Sequence, residues 1–212
     1  MKYEEIANDL RSIENLKTKD VDRYNKALIK KNEDVSDLKN YALSDQLVHR
    51  TYFQVSLGNL KSAEEQLEFI EENQDLLQDW WHTDQLNQFL KKPLDFDYVL
   101  EKSKSYIQSE KPFVRRWGYV VLLAGLQKNP EHTNQILALM KDDDEYYVQM
   151  AQAWLICDLA IYNVDAVIEF MSNSKMKYNI LGKAIQKICD SFRISKENKE
   201  IFKSMRNKLK QN

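Results

Sequence analysis

Pro112-Phe113-Val114-Arg115-Arg116-Trp117-Gly118-Tyr119-Val120 is followed, 34 residues on, by Tyr146-Tyr147-Val148-Gln149-Met150-Ala151-Gln152-Ala153-Trp154. In that register Phe113 falls on Tyr147, Val114 on Val148, Arg115 on Gln149 and Arg116 on Met150. Apolar residues recur in both stretches at the three- and four-residue steps of a helix. Shorter, more polar segments precede them at 95–109 and 131–141, and a third lies at 163–172. A helix pair recurring every thirty-odd residues marks a HEAT-like repeat, because a single pair cannot cover its own apolar face and stacks on the next. The expected fold is all-α: a right-handed α-solenoid of HEAT-like repeats with a concave cleft, residues 1–212 forming one domain.

Composition points the same way. Only 4 Gly and 3 Pro interrupt 212 residues, and 43% hydrophobic content is ample for a packed core. Apolar spacing and breakers place helices at 2–16, 20–31, 35–43, 45–57, 60–73, 75–91, 95–109, 112–127, 131–141, 144–161, 163–172, 177–192 and 197–210. Gly58 is expected to end one helix and Asn59 to cap the next, with Pro93, Pro112 and Pro130 at junctions or first turns. No stretch alternates in the manner of a strand.

Several function classes drop out. The longest apolar run, Val120-Val121-Leu122-Leu123-Ala124, falls far short of the roughly 18–20 residues that span a bilayer. Met1-Lys2-Tyr3-Glu4-Glu5 lacks the apolar region of a signal peptide. Cys157 and Cys189 lie in apolar helical patterns and read as free thiols, so a cytoplasmic protein with no membrane partner is expected. His49, His82 and His132 are scattered, which gives a metal centre no support. Neither a Gly-rich phosphate loop nor a Gly-x-Ser-x-Gly nucleophile motif occurs, and no cofactor is expected.

Net charge is −2, which does not suggest a strong nucleic-acid binder on average. Its distribution is uneven. From Met171 to Asn212 eleven Lys or Arg stand against three acids, a net of +8, leaving about −10 on the rest. A basic end can meet phosphate through counterion release, or it can be a solvated terminal helix.

Trp80 and Asp84 stand at i and i+4 in Asp79-Trp80-Trp81-His82-Thr83-Asp84, which on a helix sets an indole beside a carboxylate. Arg116 follows Asp84 by 32 residues and Trp154 follows Arg116 by 38, both close to one repeat. An indole face attracts cations, a carboxylate stabilises a sugar whose glycosidic bond is breaking, and a guanidinium forks onto phosphate. Together they suit a cationic base on a deoxyribose in a phosphodiester chain. Each has a plainer reading as well. One of Trp80 and Trp81 faces a core, Asp84 can be a solvated helix residue, one of Arg115 and Arg116 faces solvent or an ion partner, and Trp154 sits among Ala153, Leu155 and Ile156.

At these residues the chain resembles the AlkD-like HEAT-repeat DNA glycosylases of DNA alkylation repair, from about Leu43 to Phe192. The resemblance rests on Trp80-Trp81-His82-Thr83-Asp84, on Pro112-Phe113-Val114-Arg115-Arg116, and on Tyr146-Tyr147-Val148-Gln149 through Trp154-Leu155. It implies excision of cationic alkylpurines such as 3-methyladenine and 7-methylguanine without a metal, and without turning the base into a pocket as most glycosylases do. By resemblance Asp84 and Trp80 take the catalytic positions, while Arg116 and Trp154 contact DNA. Trp81 is the alternative to Trp80, with Asp84 then at i+3.

Three departures qualify what the resemblance implies. Family glycosylases carry a Gly-x-x-x-Pro-x-x-Arg-type segment near the N-terminus, whereas residues 1–42 contain neither Gly nor Pro, so a DNA-contacting segment is expected to be missing. Where basic residues usually open the last inner helix stands Tyr178-Asn179-Ile180-Leu181-Gly182, with Lys183 and Lys187 the nearest cations. Residues 47–76 set Arg50 and Lys61 against six acids. The expected protein is therefore a divergent monomeric relative that binds double-stranded DNA weakly, with weak or lost excision. The alternative is a non-enzymatic HEAT-like scaffold for protein interaction.

Overall fold

The computed structural model describes residues 3–210, so the expected helix start at Lys2 lies outside the described residues. Every regular element among those residues is helical. The chain divides into two compact units, Met1–Leu94 and Asp95–Asn212.

The first unit holds α1 (Tyr3–Arg11), α2 (Thr18–Lys30), α3 (Gln46–Asn59), α4 (Ala63–Glu72) and the single-turn α5 (Trp80–Asp84). Between them run 3-10 turns at Ser36–Tyr41, Gln74–Leu76 and Leu86–Gln88. α3 is central. Val48, Phe53, Val55 and Leu57 on it are wholly buried, and it packs against α1, α2 and the turn at Ser36–Tyr41. Side-chain caps start the helices where an oxygen can take the orphan amides: Asp45 accepts from Leu47 N at 2.9 Å and Ser62 from Glu65 N at 3.1 Å.

The second unit holds α6 (Phe96–Tyr106), α7 (Pro112–Val120), α8 (Thr133–Leu137), α9 (Tyr146–Tyr162), α10 (Val164–Asn173), α11 (Tyr178–Asp190) and α12 (Lys196–Leu209). α9 packs against α7, α10 and α11, and α11 also meets α12. Burial surrounds α9 on almost every side, from Val148 and Ala151 through Leu155, Ile156 and Leu159. The 34-residue register read in the sequence is a contact in space: the Phe113 ring lies 5.7 Å from that of Tyr147. The same interval recurs where Lys183 donates to Gln149 Oε1 at 2.9 Å, and nearly so where Gln152 donates to the Tyr119 hydroxyl at 3.0 Å.

Four expected helices come out differently. The 112–127 helix stops at Val120 and passes through a 3-10 turn, Val121–Leu123, to Gly125, whose φ of 120° is a left-handed conformation that side chains resist. The 35–43 segment is a 3-10 turn, and 131–141 shrinks to a 3-10 turn plus α8. The 75–91 segment breaks into α5 and two 3-10 turns because side chains take over its backbone groups. Gln66, buried on α4, donates to Phe89 O at 3.1 Å and accepts from Lys91 N at 2.6 Å, and His82 Nδ1 accepts from Gln78 N at 3.0 Å.

Gly58 does not terminate its helix. α3 runs on through Asn59, and the next cap is Ser62. A Cβ at Gly58 would lie 2.5 Å from Ile29 Cδ1, so this glycine serves the close approach of α2 and α3. Both cysteines are free, Cys157 buried and Cys189 half-buried. No helix among the described residues is long and apolar enough to cross a membrane.

Candidate nucleic-acid interface

In the first unit the candidate residues sit on a helix too short to hold itself. α5 has five residues, and its first turn is set by Asp79, whose carboxylate accepts from Trp80 N at 2.6 Å. Thr83 Oγ1 donates to Trp80 O at 2.8 Å and lies 3.1 Å from Asp84 Oδ1, which orients the carboxylate. Trp80 is 45% exposed, an unusual state for so large an apolar surface, and Asp84, one turn later, is half-buried.

Trp81 points the other way. Its ring lies edge-on to His82 at 4.0 Å and to His49 at 4.9 Å, and the two imidazoles stack at 3.9 Å with an interplanar angle of 11°. His49 Nε2 donates to Leu76 O at 3.1 Å, so its neutral Nδ1 is the acceptor for Gln85 Nε2 at 2.9 Å. His82 Nδ1 likewise accepts from a backbone N–H. Each imidazole therefore meets a donor at the very nitrogen that a second proton would occupy. Burial, with the neighbouring His82, pushes His49 down to about 3. Burial also lowers His82, opposed by Asp79. Arg50 donates to the other end of Gln85 at 3.1 Å and pairs with Asp22 at 2.8 Å. The sequence reading missed this stack. Its available signal was the 33-residue interval between His49 and His82, one repeat.

The sign of the pH effect follows directly. An unfolded histidine takes its proton near pH 6.5, whereas folded His49 refuses it until about pH 3, so stability falls as pH drops through that window. Between pH 7 and pH 5 His49 alone should cost about 2 kcal/mol. Urea unfolding at pH 7 and pH 5 checks this, with His49→Gln expected to reduce the loss by that amount. An equal loss in the variant would show that His49 is not held neutral.

In the second unit Pro112 opens α7 at a position where its missing N–H costs nothing, and the two arginines then part company. Arg115 pairs with Asp143 at 2.7 Å and donates to Ser109 O and Glu110 O, each at 3.0 Å. Arg116 is 5% exposed and donates to Tyr147 O at the start of α9. Along α9, Tyr147, Met150, Trp154 and Asp158 follow at helical steps and form a narrow stripe left outside the surrounding burial, with Trp154 37% exposed. Trp154 and Asp158 repeat the i, i+4 spacing of Trp80 and Asp84, which the sequence reading did not single out. Here the carboxylate is engaged, by Gln127 at 2.7 Å and Arg193 at 3.6 Å.

α11 adds charge. Lys183 Nζ donates to Gln149 Oε1 at 2.9 Å and to Asn179 O at 3.1 Å and lies 5.6 Å from the Tyr146 ring, while Lys187 is half-buried one turn on. Among the described residues no three His, Cys, Asp or Glu side chains gather to hold a metal ion.

These are all-helical units in which two indoles, Trp80 and Trp154, reach the surface, with a half-buried carboxylate and half-buried lysines nearby in sequence or on neighbouring helices. The particular family comes from comparison. The model of the family described as DNA alkylation repair enzyme matches residues 14–188, and the chain belongs to that family. Comparison with curated proteins and with solved structures gave no match.

Proposed function

We propose that the protein binds duplex DNA and acts on cationic alkylpurines such as 3-methyladenine and 7-methylguanine as a weak glycosylase. Its helix pairs are read as HEAT-like repeats of an α-solenoid, supported in the second unit by contacts that recur near one repeat interval. The observation that carries the functional reading is the exposure of Trp80 one helical turn ahead of Asp84, in a family of alkylation repair enzymes. Trp80 in the first unit and Trp154 in the second each offer an exposed π face, which attracts cations. Asp84 supplies the negative charge that a breaking glycosidic bond calls for. Trp81 acts beneath the turn, packed on the histidine stack, rather than at the DNA.

The grip on phosphate is thin. Arg116 has little accessible surface, and Lys183 already shares its charge with Gln149 and Asn179. Because affinity and its salt dependence both scale with the number of phosphate contacts, these groups alone should bind weakly at physiological salt and with a shallow salt slope. Titration of duplexes with and without 7-methylguanine, from low to physiological salt, tests the reading. Trp154→Ala should weaken binding about tenfold, the equivalent of one lost base-stacking contact. Failure of the wild-type protein to bind either duplex at low salt would remove DNA as the ligand and leave a protein-interaction scaffold.

A further inference from the structure

α12 and its C-cap residue carry Lys196, Lys199, Lys203, Arg206 and Lys210 at alternating steps of three and four residues. At 3.6 residues per turn that spacing confines all five to an arc of about 80°. The acids Glu197 and Glu200 lie to one side of this arc, and the buried Phe202 and Leu209 lie to the other, holding the helix down. The stripe is some 21 Å long at 1.5 Å per residue, about the length of six nucleotide steps along a strand.

The stripe also borders α11, the helix that bears cations already described. Arg206 donates to Gln186 on α11 at 3.2 Å, and the Lys210 ammonium lies 5.7 Å from the Tyr178 ring at the start of α11. The two helices therefore run antiparallel, and the stripe lies beside α11, the helix that bears Lys183 and Lys187. Lys203 does pair with Glu200 at 2.7 Å, but both side chains are more than half exposed, and such a pair is readily exchanged for phosphate. α12 lies beyond the residues matched by the family, 14–188.

We infer that the basic stripe of α12 is a DNA-backbone-binding surface, tracking consecutive phosphates beside α11, which bears Lys183 and Lys187. The inference rests on the DNA-binding reading above. It places most of the phosphate contact outside the family-matched region, where charge is concentrated, and assigns base and sugar contact to the tryptophans.

The test uses the full chain with Lys196, Lys199, Lys203 and Lys210 each replaced by Gln, and undamaged duplex DNA titrated over a range of salt. The logarithmic salt slope should fall by about 3.6, since each of the four phosphate contacts contributes roughly 0.9, and affinity at physiological salt should fall at least tenfold. A control with Lys26, Lys30, Lys31 and Lys39 replaced by Gln changes net charge equally and should leave the slope unchanged, whereas replacing the four α12 lysines by Arg should preserve it. Wild-type binding with an unaltered slope in the α12 variant overturns this inference alone, as does an equal fall in the control. Absence of any wild-type binding overturns the DNA reading with it. Phe192, 94% exposed in the turn before α12, makes an anionic membrane the fair competitor. Vesicles containing phosphatidylserine, bound more tightly than DNA and released by the same substitutions, would also overturn it.

Discussion

Replacing Asp84 by Asn should lower the release of 7-methylguanine from methylated duplex by on the order of 10²-fold, with DNA binding and folding left nearly unchanged. The substitution keeps the shape of the side chain and an oxygen for the Thr83 hydroxyl 3.1 Å away, but it removes the negative charge. Only the transition state, in which the sugar becomes cationic, should feel that loss, so the fall belongs in the rate of the excision step rather than in affinity. Single-turnover release measured beside equilibrium binding separates the two. Equal rates in wild type and variant would show that Asp84 is not the stabilising carboxylate. A fall in affinity matching the fall in rate would instead make it a binding residue.

The second large effect is on stability. Trp117 is completely buried on α7, and its indole Nε1 finds no hydrogen-bond partner. Trp117→Ala should cost about 3–5 kcal/mol, from lost burial and the cavity left behind. In a chain of this size that corresponds to a fall in Tm of roughly 10 °C or more. Trp117→Phe should cost much less, because it loses ring volume but also removes a buried N–H that gains nothing from its surroundings. Thermal unfolding of the two variants side by side checks the comparison. A Phe variant as unstable as the Ala variant would mean that the indole N–H is satisfied after all.

The sequence was most legible where structure is repeated and locally driven. The offset of Phe113 on Tyr147 could be read because both residues sit on helices long enough to show their period, and the rings meet at 5.7 Å. The segment 75–91 was illegible for the opposite reason. Its backbone groups are claimed by Gln66 from α4 and by the ring of His82, and no local pattern announces a side chain arriving from another element. Gly58 misled in the same way, since its missing Cβ answers to Ile29 of a different helix rather than to its own.

The candidate site was half legible. Spacing identified Trp80, Trp81 and Asp84 but left open which indole faces out, because adjacent residues at the start of a helix are separated by only about 100°. The choice is made by His49, 31 residues before Trp80, which receives Trp81 and so leaves Trp80 exposed. Arg115 and Arg116 were equally ambiguous until Asp143 claimed the first. Charge composition raised the basic C-terminal region, but only the helical arc of α12 aligns five of its eleven cations in one stripe.

The single turn that carries Trp80 and Asp84 is fastened by the side chains of Asp79 and Thr83, by the His49–Gln85 pair beside it and by the Gln78 backbone amide on the His82 ring, rather than by a helix of its own length. Its opening is accordingly a local event. The amides of residues 80–84 can exchange with solvent without unfolding α3, at a free-energy cost set by a few hydrogen bonds and one imidazole stack. Acid that protonates either histidine would loosen this clasp before it melts the unit, so a brief acid pulse should label that turn first.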